Sequence, residues 1–402
     1  MMGKPKIRFK GYNEDWEQRK LGDVLSLLKD GTHGTHRDAE SGPLLLSAKN
    51  IKNGTVQWDE SDRRISEDEY NIIHSNFRLQ KGDVLLTIVG SIGEVAILSQ
   101  SEGVTFQRSV AFLRPSDEIC SEFLYSEIQG QKFQKELNDR KSTSAQPGMY
   151  LGDLGAIPIE FPTSDEEQMQ IGSYFSTIDH LITLHQHKCD EMKKLKKCML
   201  QKMFPQNGKK VPEIRFEGFT NDWEQRKLGE VLKERTKRAQ GGEELLSVTI
   251  ANGVIRQADS EKRNIASEDK SNYKIVRKGD IPYNSMRMWQ GAVGNSEYDG
   301  IVSPAYTVLV PTDEANAKFF MEYFKKENSL QLFQRWSQGL TSDTWNLKYP
   351  TLSSMRFSMP SIEEQNRIAS YFEQLDHLIT LHQHKCDELQ NLKKYMLQNM
   401  FV

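Results

Sequence analysis

Arg287 stands between Asn284 and Gln290 in the string Tyr283-Asn284-Ser285-Met286-Arg287-Met288-Trp289-Gln290-Gly291, and these three side chains carry the donors and acceptors that base edges require. Arg forks onto guanine and Asn or Gln onto adenine in the major groove, each good pair being worth about 1–3 kcal/mol of discrimination. Trp289 adds an aromatic face. The alternative puts Met286, Met288 and Trp289 in a core and leaves Arg287 as a surface charge. A second polar string, Thr32, His33, Thr35, His36 and Arg37, is interleaved with glycines that let the backbone approach a phosphate or a base edge, unless it is simply a solvated turn. Gln107-Arg108 and Ser142-Thr143-Ser144 are further candidates of the same kind. Lys233, Arg235, Lys237 and Arg238 form a basic run suited to phosphates, or to a solvated face.

The string His-Gln-His-Lys-Cys occurs twice and suggests other chemistry. His185 and Cys189 lie four apart, as do His382 and Cys386, so each pair shares one helical face. An antiparallel crossing of two such helices would gather two His and two Cys, a zinc set, whereas the bland alternative is a polar layer that fixes helix register. The expectation carried forward is no metal. Catalysis is disfavoured by the strings that are missing. Gly208-Lys209-Lys210 lacks both the hydroxyl and the earlier glycine of a G-x-x-x-x-G-K-S/T phosphate loop. Neither Asn-Pro-Pro nor Asp-Pro-Pro-Tyr occurs, nor a Gly-x-Gly pair after a strand, so a methyl-transferring site has no sequence support. We expect no catalytic residue and no cofactor on this chain.

The candidates need a frame, and the frame is written twice. Ile7 to Gly22 returns nearly unchanged at Ile214 to Gly229, 207 residues on, and Asp179 to Glu191 (DHLITLHQHKCDE) returns identically at Asp376 to Glu388, 197 residues on. A period of half the chain is too long for a solenoid, so two copies of one domain-plus-helix unit are fused. A pseudo-twofold molecule follows, suited to a target that is itself split in two. The expected order is a globular domain over 1–160, a long helix and linker over 161–208, a second domain over 209–359 and a second long helix over 360–402. Pro205-Gln206-Asn207-Gly208-Lys209-Lys210 reads as the linker.

Inside each domain, Gln80-Lys81-Gly82-Asp83 matches Arg277-Lys278-Gly279-Asp280, a turn that launches a strand. Strand patterns at Val84–Val89, Val110–Leu113 and Thr307–Val310 mix with helical patterns over Glu118–Leu137 and Ala315–Gln334, an α+β reading. In the helical blocks, apolar residues step by seven from Ile171 and Tyr174, and again from Ile368 and Tyr371, as heptad rows. Ser164 or Thr163 can cap the first helix and Ser361 the second, with acidic residues following. Roughly 38 residues make a rod of about 57 Å. That exceeds a DNA turn of about 34–36 Å, and the symmetry requires the rods to run antiparallel.

Composition agrees with two ordinary cores plus exposed helices: 402 residues, 37% hydrophobic and 27% charged. A net charge of −3 argues against a uniformly basic nucleic-acid coat, so any such binding must be local. The four cysteines lack disulfide-framework spacing and read as reduced thiols. Apolar runs are no longer than a strand, and Met1-Met2-Gly3-Lys4-Pro5 precedes no apolar signal region. A cytoplasmic protein with no membrane contact is expected.

Taken together, the chain resembles the specificity subunits of type I restriction-modification systems over its whole length. The resemblance is carried by the duplicated order of domain then helix, by Trp16 to Gly22 repeated at Trp223 to Gly229, and by the Lys-Gly-Asp turns. Two local strings fit as well, Asp30 to His36 and Tyr283 to Gly291, with one departure at His36, where related segments usually carry proline. The resemblance implies two target recognition domains that each read half of a bipartite site on double-stranded DNA. It also implies helices that set the gap and dock two methyltransferase subunits, with motor-nuclease subunits joining for cleavage. S-adenosylmethionine, ATP and Mg would be used by those partners. Ile171, Phe175, Ile182 and Ile368, Phe372, Ile379 are the apolar residues left to meet partner helices, or alternatively to pack on the adjacent domain. On the docking reading, Phe175→Asp and Phe372→Asp abolish methyltransferase assembly and leave the chain soluble. A self-contained restriction or methylation enzyme and a coiled-coil DNA-binding scaffold or regulator without an enzymatic partner are the competing classes.

Overall fold

Alternation along the strands decides where the cores lie. In the computed structural model, which describes residues 4–142, 147–206, 208–260, 269–342 and 344–401, strand Val84–Thr87 buries Val84 and Leu86 in one apolar cluster and Leu85 in another. Its neighbour Val110–Pro115 divides the same way, Ala111 and Leu113 to one side and Val110 and Phe112 to the other. A sheet covered on both faces has no polar side to alternate with, which is why these strands read as unbroken apolar runs.

The chain forms two units, residues 1–187 with 383–402, and residues 188–382. In the first, an antiparallel sheet runs in the order Leu25–Asp30, Val110–Pro115, Val84–Thr87, Val95–Ile97. The repeated entry strand Glu17–Lys20 pairs with Pro158–Phe161, Glu17 opposite Phe161. In the second, the sheet order is Leu232–Glu234, Tyr306–Pro311, Ile281–Asn284, and Glu224–Lys227 pairs with Arg356–Met359. Its central strand again serves two clusters, Leu309 on one side and Val308 on the other. Both units are α+β. Two helices replace each long helical pattern: Ser121–Gln129 and Gln131–Arg140, broken at Gly130 with ψ 145°, and Ala317–Phe324 and Glu327–Trp336, broken at Lys326 with ψ 144°.

The repeated words fold into repeated contacts. Arg8 forks onto Glu167 at 2.6 and 2.8 Å and donates to the Glu14 carbonyl at 2.6 Å; Arg215 forks onto Glu364 at 2.8 and 2.7 Å and donates to the Asn221 carbonyl at 2.7 Å. Both carboxylates are buried in the first turn of a long helix, Asp165–Lys202 or Ile362–Met400. Ser164 and Ser361 accept the backbone N–H of those same glutamates, so the caps fall where expected. The next residue is also used: Gln168 ties the Glu118 and Pro162 carbonyls, and Gln365 ties those of Glu314 and Pro360.

Each unit combines pieces of both long helices. In the first unit Lys393 meets Asp179, and Phe401 packs at 5.6 Å from Phe175 and 6.2 Å from Trp16. In the second, Lys196 meets Asp376 at 2.7 Å, and Phe204 packs at 6.2 Å from Phe372 and 6.0 Å from Trp223. Residue numbers rise along one helix segment as they fall along the other, so the segments within each unit are antiparallel. The backbone repeats the pattern, with Ile7 donating to the Asn399 carbonyl and Ile214 to that of Lys202.

This packing corrects the expected docking residues. Ile171 and Phe175 are buried in the core of the first unit, and Ile368 and Phe372 in that of the second, so they close their own domains rather than face a partner. Ile182 and Ile379 are half-buried, and the Ile379 carbonyl accepts from Cys189 Sγ at 3.9 Å. A carboxylate at Phe175 or Phe372 would therefore enter a core and unfold its unit, not merely block assembly. The heptad rows are interrupted at Lys188 and Lys385, which are exposed while the neighbouring Cys189 and Cys386 are buried; Met192, Leu195 and Met199 beyond the first break and Leu389 and Met396 beyond the second are packed again.

Removing the exchanged rings should be selective. Phe401→Ala costs the first unit about 3–5 kcal/mol and Phe204→Ala costs the second a similar amount. Hydrogen exchange followed peptide by peptide should report each loss in the unit that holds the ring; equal loss in both units from one substitution would contradict this packing.

Candidate nucleic-acid interface

In the first unit, backbone hydrogen bonds gather three separated candidates at one end of the sheet. Gly31 donates to the Val110 carbonyl at 2.9 Å, Thr32 to that of Phe106 at 2.9 Å, and Arg108 to that of Thr32 at 3.0 Å. A side chain at Gly31 would lie 2.2 Å from the Phe106 oxygen, so only glycine permits this approach. On the other side of the Val110 end, Ile88 donates to the Ser109 carbonyl and Met149 donates to Ile88, both at 2.9 Å. Ser142 closes the same loop, its N–H reaching the Gly148 carbonyl at 2.9 Å and its hydroxyl accepting from Gly148 at 3.1 Å. Thr143 lies outside the described residues.

The loop side chains then divide by role. His36 folds back, its Nε2 2.7 Å from the Thr32 hydroxyl, while Arg63 holds the His36 carbonyl at 2.8 Å. His33 sits 2.6 Å from Asp30 Oδ2 yet stays exposed. Thr35, Arg37 and Arg108 are exposed and Gln107 is half-buried. This end therefore presents two guanidiniums, hydroxyls and an imidazole around a braced loop. Tyr150, 71% exposed and next to Met149, joins them and was missed in the sequence because its neighbours carry no charge or repeat.

In the second unit, strand Ile281–Asn284 ends in a tight loop. Asn284 Oδ1 accepts from Met286 at 3.0 Å, Arg287 donates to the Asn284 carbonyl at 2.9 Å, and Gly291 turns the chain with φ 86° so that Ala292 can donate to Arg287 at 3.1 Å. Met288 is core, as one reading of the string held, whereas Arg287, Trp289 and Gln290 are half-exposed. The Trp289 indole donates to the Met286 carbonyl at 3.2 Å, and its ring meets Trp345 edge-on at 5.2 Å. Leu347 donates to the Ser285 carbonyl at 2.9 Å, which with the Trp345 ring brings Trp345 and Leu347 beside this loop. Met149 bonding Ile88 in the first unit is the same contact, so comparing the two copies would have revealed the missed segment.

The basic run does not join this cluster. Arg235 forks onto Asp280 at 2.7 and 2.8 Å, and Asp280 also accepts from the Arg277 N–H at 2.8 Å. Arg235 is thus a structural brace of the Lys-Gly-Asp turn, a correction to its reading as a DNA contact. In the first unit Arg114 does this for Asp83, at 2.7 and 2.8 Å. Hydrogen bonding to the buried aspartate raises the affinity of both guanidiniums for their proton. Arg238 donates to Asn272 at 2.9 and 3.0 Å, and the backbone of Lys237 and Arg238 pairs with Tyr273 to Ile275 rather than with the Asn284 loop. Both side chains remain exposed. Among the described residues no group of three or more His, Cys, Asp or Glu is placed to hold a metal ion.

Two antiparallel sheets with both faces covered, each offering polar and aromatic loops at one end, define a pair of binding modules. The family model "Type I restriction modification DNA specificity domain" matches residues 13–194 and again 220–391. The chain belongs to this family, that of the type I restriction-modification specificity subunits. It is 22% identical over 399 residues to the putative type I restriction enzyme MjaX specificity subunit of Methanocaldococcus jannaschii, covering 96% of this chain and 92% of that one. To the MjaVIII specificity subunit of the same organism it is 27% identical over 190 residues, 46% of this chain and 44% of that one. The crystal structure of the type I restriction-modification S subunit from M. genitalium shares the fold with a TM-score of 0.67 at 15% identity, covering 100% of this chain and 99% of that one.

The two classes of arginine should separate by stability. Arg235→Ala leaves Asp280 buried without its cation and should cost the second unit about 3 kcal/mol. Arg108→Ala, on an exposed turn, should stay within about 0.5 kcal/mol. Denaturant unfolding of the two variants measures both; equal midpoints would refute the distinction.

Proposed function

We propose that each unit reads one half of a bipartite double-stranded DNA target through the loops at its sheet end. The observation that carries this reading is convergence: residues 31–37, 107–108 and 142, far apart in sequence, meet at one sheet end of the first unit, as do 284–290 and 345–347 in the second. Arg108, Arg37 and the Thr32 loop serve the first half-site, and Arg287, Gln290 and Asn284 the second. Exposed Lys237 and Arg238 supply phosphate contacts outside the reading loop. The long helices fix the spacing between half-sites.

The chain is non-catalytic on this reading, and methylation and cleavage are carried out by methyltransferase and motor-nuclease subunits that use S-adenosylmethionine, ATP and Mg. The identical DHLITLHQHKCDE segments offer two methyltransferase copies the same surface. Leu184 is 37% exposed and Leu381, its counterpart, 53%, which makes these leucines the docking residues in place of the buried phenylalanines. Among the described residues no helix is long and apolar enough to cross a membrane, which suits the proposed cytoplasmic site of action.

Methylome sequencing of a host expressing the chain with its methyltransferase should show one bipartite motif, and methylation by the chain alone would refute the reading. Arg287→Ala should relax one position of one half-site; a uniform loss over all sequences would assign Arg287 to phosphate. Leu184→Asp combined with Leu381→Asp should abolish co-purification of the methyltransferase at an unchanged melting temperature, and retained assembly would sink the docking assignment.

A further inference from the structure

The second unit holds an apolar side chain out in solvent on a braced turn. Leu340 is 100% exposed. Around it, Gln338 and Asn346 exchange backbone hydrogen bonds at 3.1 and 2.8 Å, Thr344 donates to the Thr341 carbonyl at 2.9 Å, and Thr341 donates to the Thr344 hydroxyl at 3.1 Å. Gly339 has φ 151°, and a side chain there would lie 2.5 Å from the Thr344 oxygen, so the turn admits little but glycine. A leucine held clear of every core by a specific turn stabilises nothing in the folded chain. It is placed for something outside it.

The surroundings identify that object. Asn346 and Leu347 lead back beside Ser285, on the loop that carries Arg287 and Gln290. Trp336, 51% exposed, and Trp345, in edge contact with Trp289, give the turn an aromatic base. Exposed Arg335 and Lys348 flank the segment with positive charge suited to phosphates. An apolar tip between cations, adjoining base-reading polar groups, matches side chains that enter a base step, unstack it and kink the duplex. At the equivalent place in the first unit stands Ser142, half-buried and tied to Gly148. The two half-sites would thus be treated differently.

We propose that Leu340 is a wedge that inserts between stacked base pairs of the second half-site and bends the DNA there, while the first half-site is read without unstacking. The proposal rests on the second unit being a half-site reader. The test uses the full chain assembled with its methyltransferase on duplexes carrying the methylated motif, with 2-aminopurine placed at steps of either half-site. Fluorescence should rise on binding only for probes in the second half-site. Leu340→Ser should abolish that rise and weaken specific binding about tenfold, equivalent to about 1.4 kcal/mol. Leu340→Phe should keep the rise. Both variants should melt like the parent, since Leu340 touches no core. Specific binding with an unchanged rise in Leu340→Ser, or no rise in the parent, overturns the wedge and leaves half-site reading intact. Failure of Leu340→Ser to assemble assigns the tip to a protein contact and also overturns it. No sequence-specific binding by the parent overturns the wedge together with the reading beneath it.

Discussion

Covering a sheet on both faces leaves only its ends available for chemistry. In each unit the central strands alternate between two apolar clusters, so neither face can meet a ligand. Whatever the protein recognises must be met by chain that leaves the strand ends. This constraint brings Gly31, Arg108 and Ser142 into one neighbourhood and Asn284 and Leu347 into another. It also lets the loops differ between the units without disturbing the cores, because loop side chains contribute little to the packing beneath.

The frame that holds those sheets rests on buried, fully paired polar groups. Glu167 and Glu364 each take a two-pronged arginine, and each arginine also satisfies a carbonyl. Bidentate geometry and complete pairing are what make burial of such charges tolerable. The Lys-Gly-Asp turns use the same device, but Arg114 lies on strand Val110–Pro115, which follows its turn in the chain, and Arg235 lies just past strand Leu232–Glu234, which precedes its turn. Equivalent carboxylates therefore found their cations by different routes.

Much of this was legible in the residues. The long helices, their serine caps, the turn-launched strands and the α+β class follow from local spacing, and the structure places the helices over Asp165–Lys202 and Ile362–Met400 and the strands over Val84–Thr87 and Ile281–Asn284. Phe175 and Phe372 were misread because an apolar stripe looks alike whether it faces a partner or its own core. Arg235 was misread because a run of cations does not reveal which one has a buried carboxylate 2.7 Å away. Leu340 went unnoticed because one apolar residue in a polar loop has no periodicity.

The sequence by itself determined the duplication, the elements and the kinds of side chain offered at the loops, since these depend on backbone geometry within a few residues. The tertiary structure alone decided that Phe401 completes the domain begun by Trp16 and that Phe204 completes the one begun by Trp223. It decided too which arginines are braces and which remain exposed. Such pairings depend on closure between distant parts of the chain, where burial and charge select among many partners that local spacing leaves equivalent.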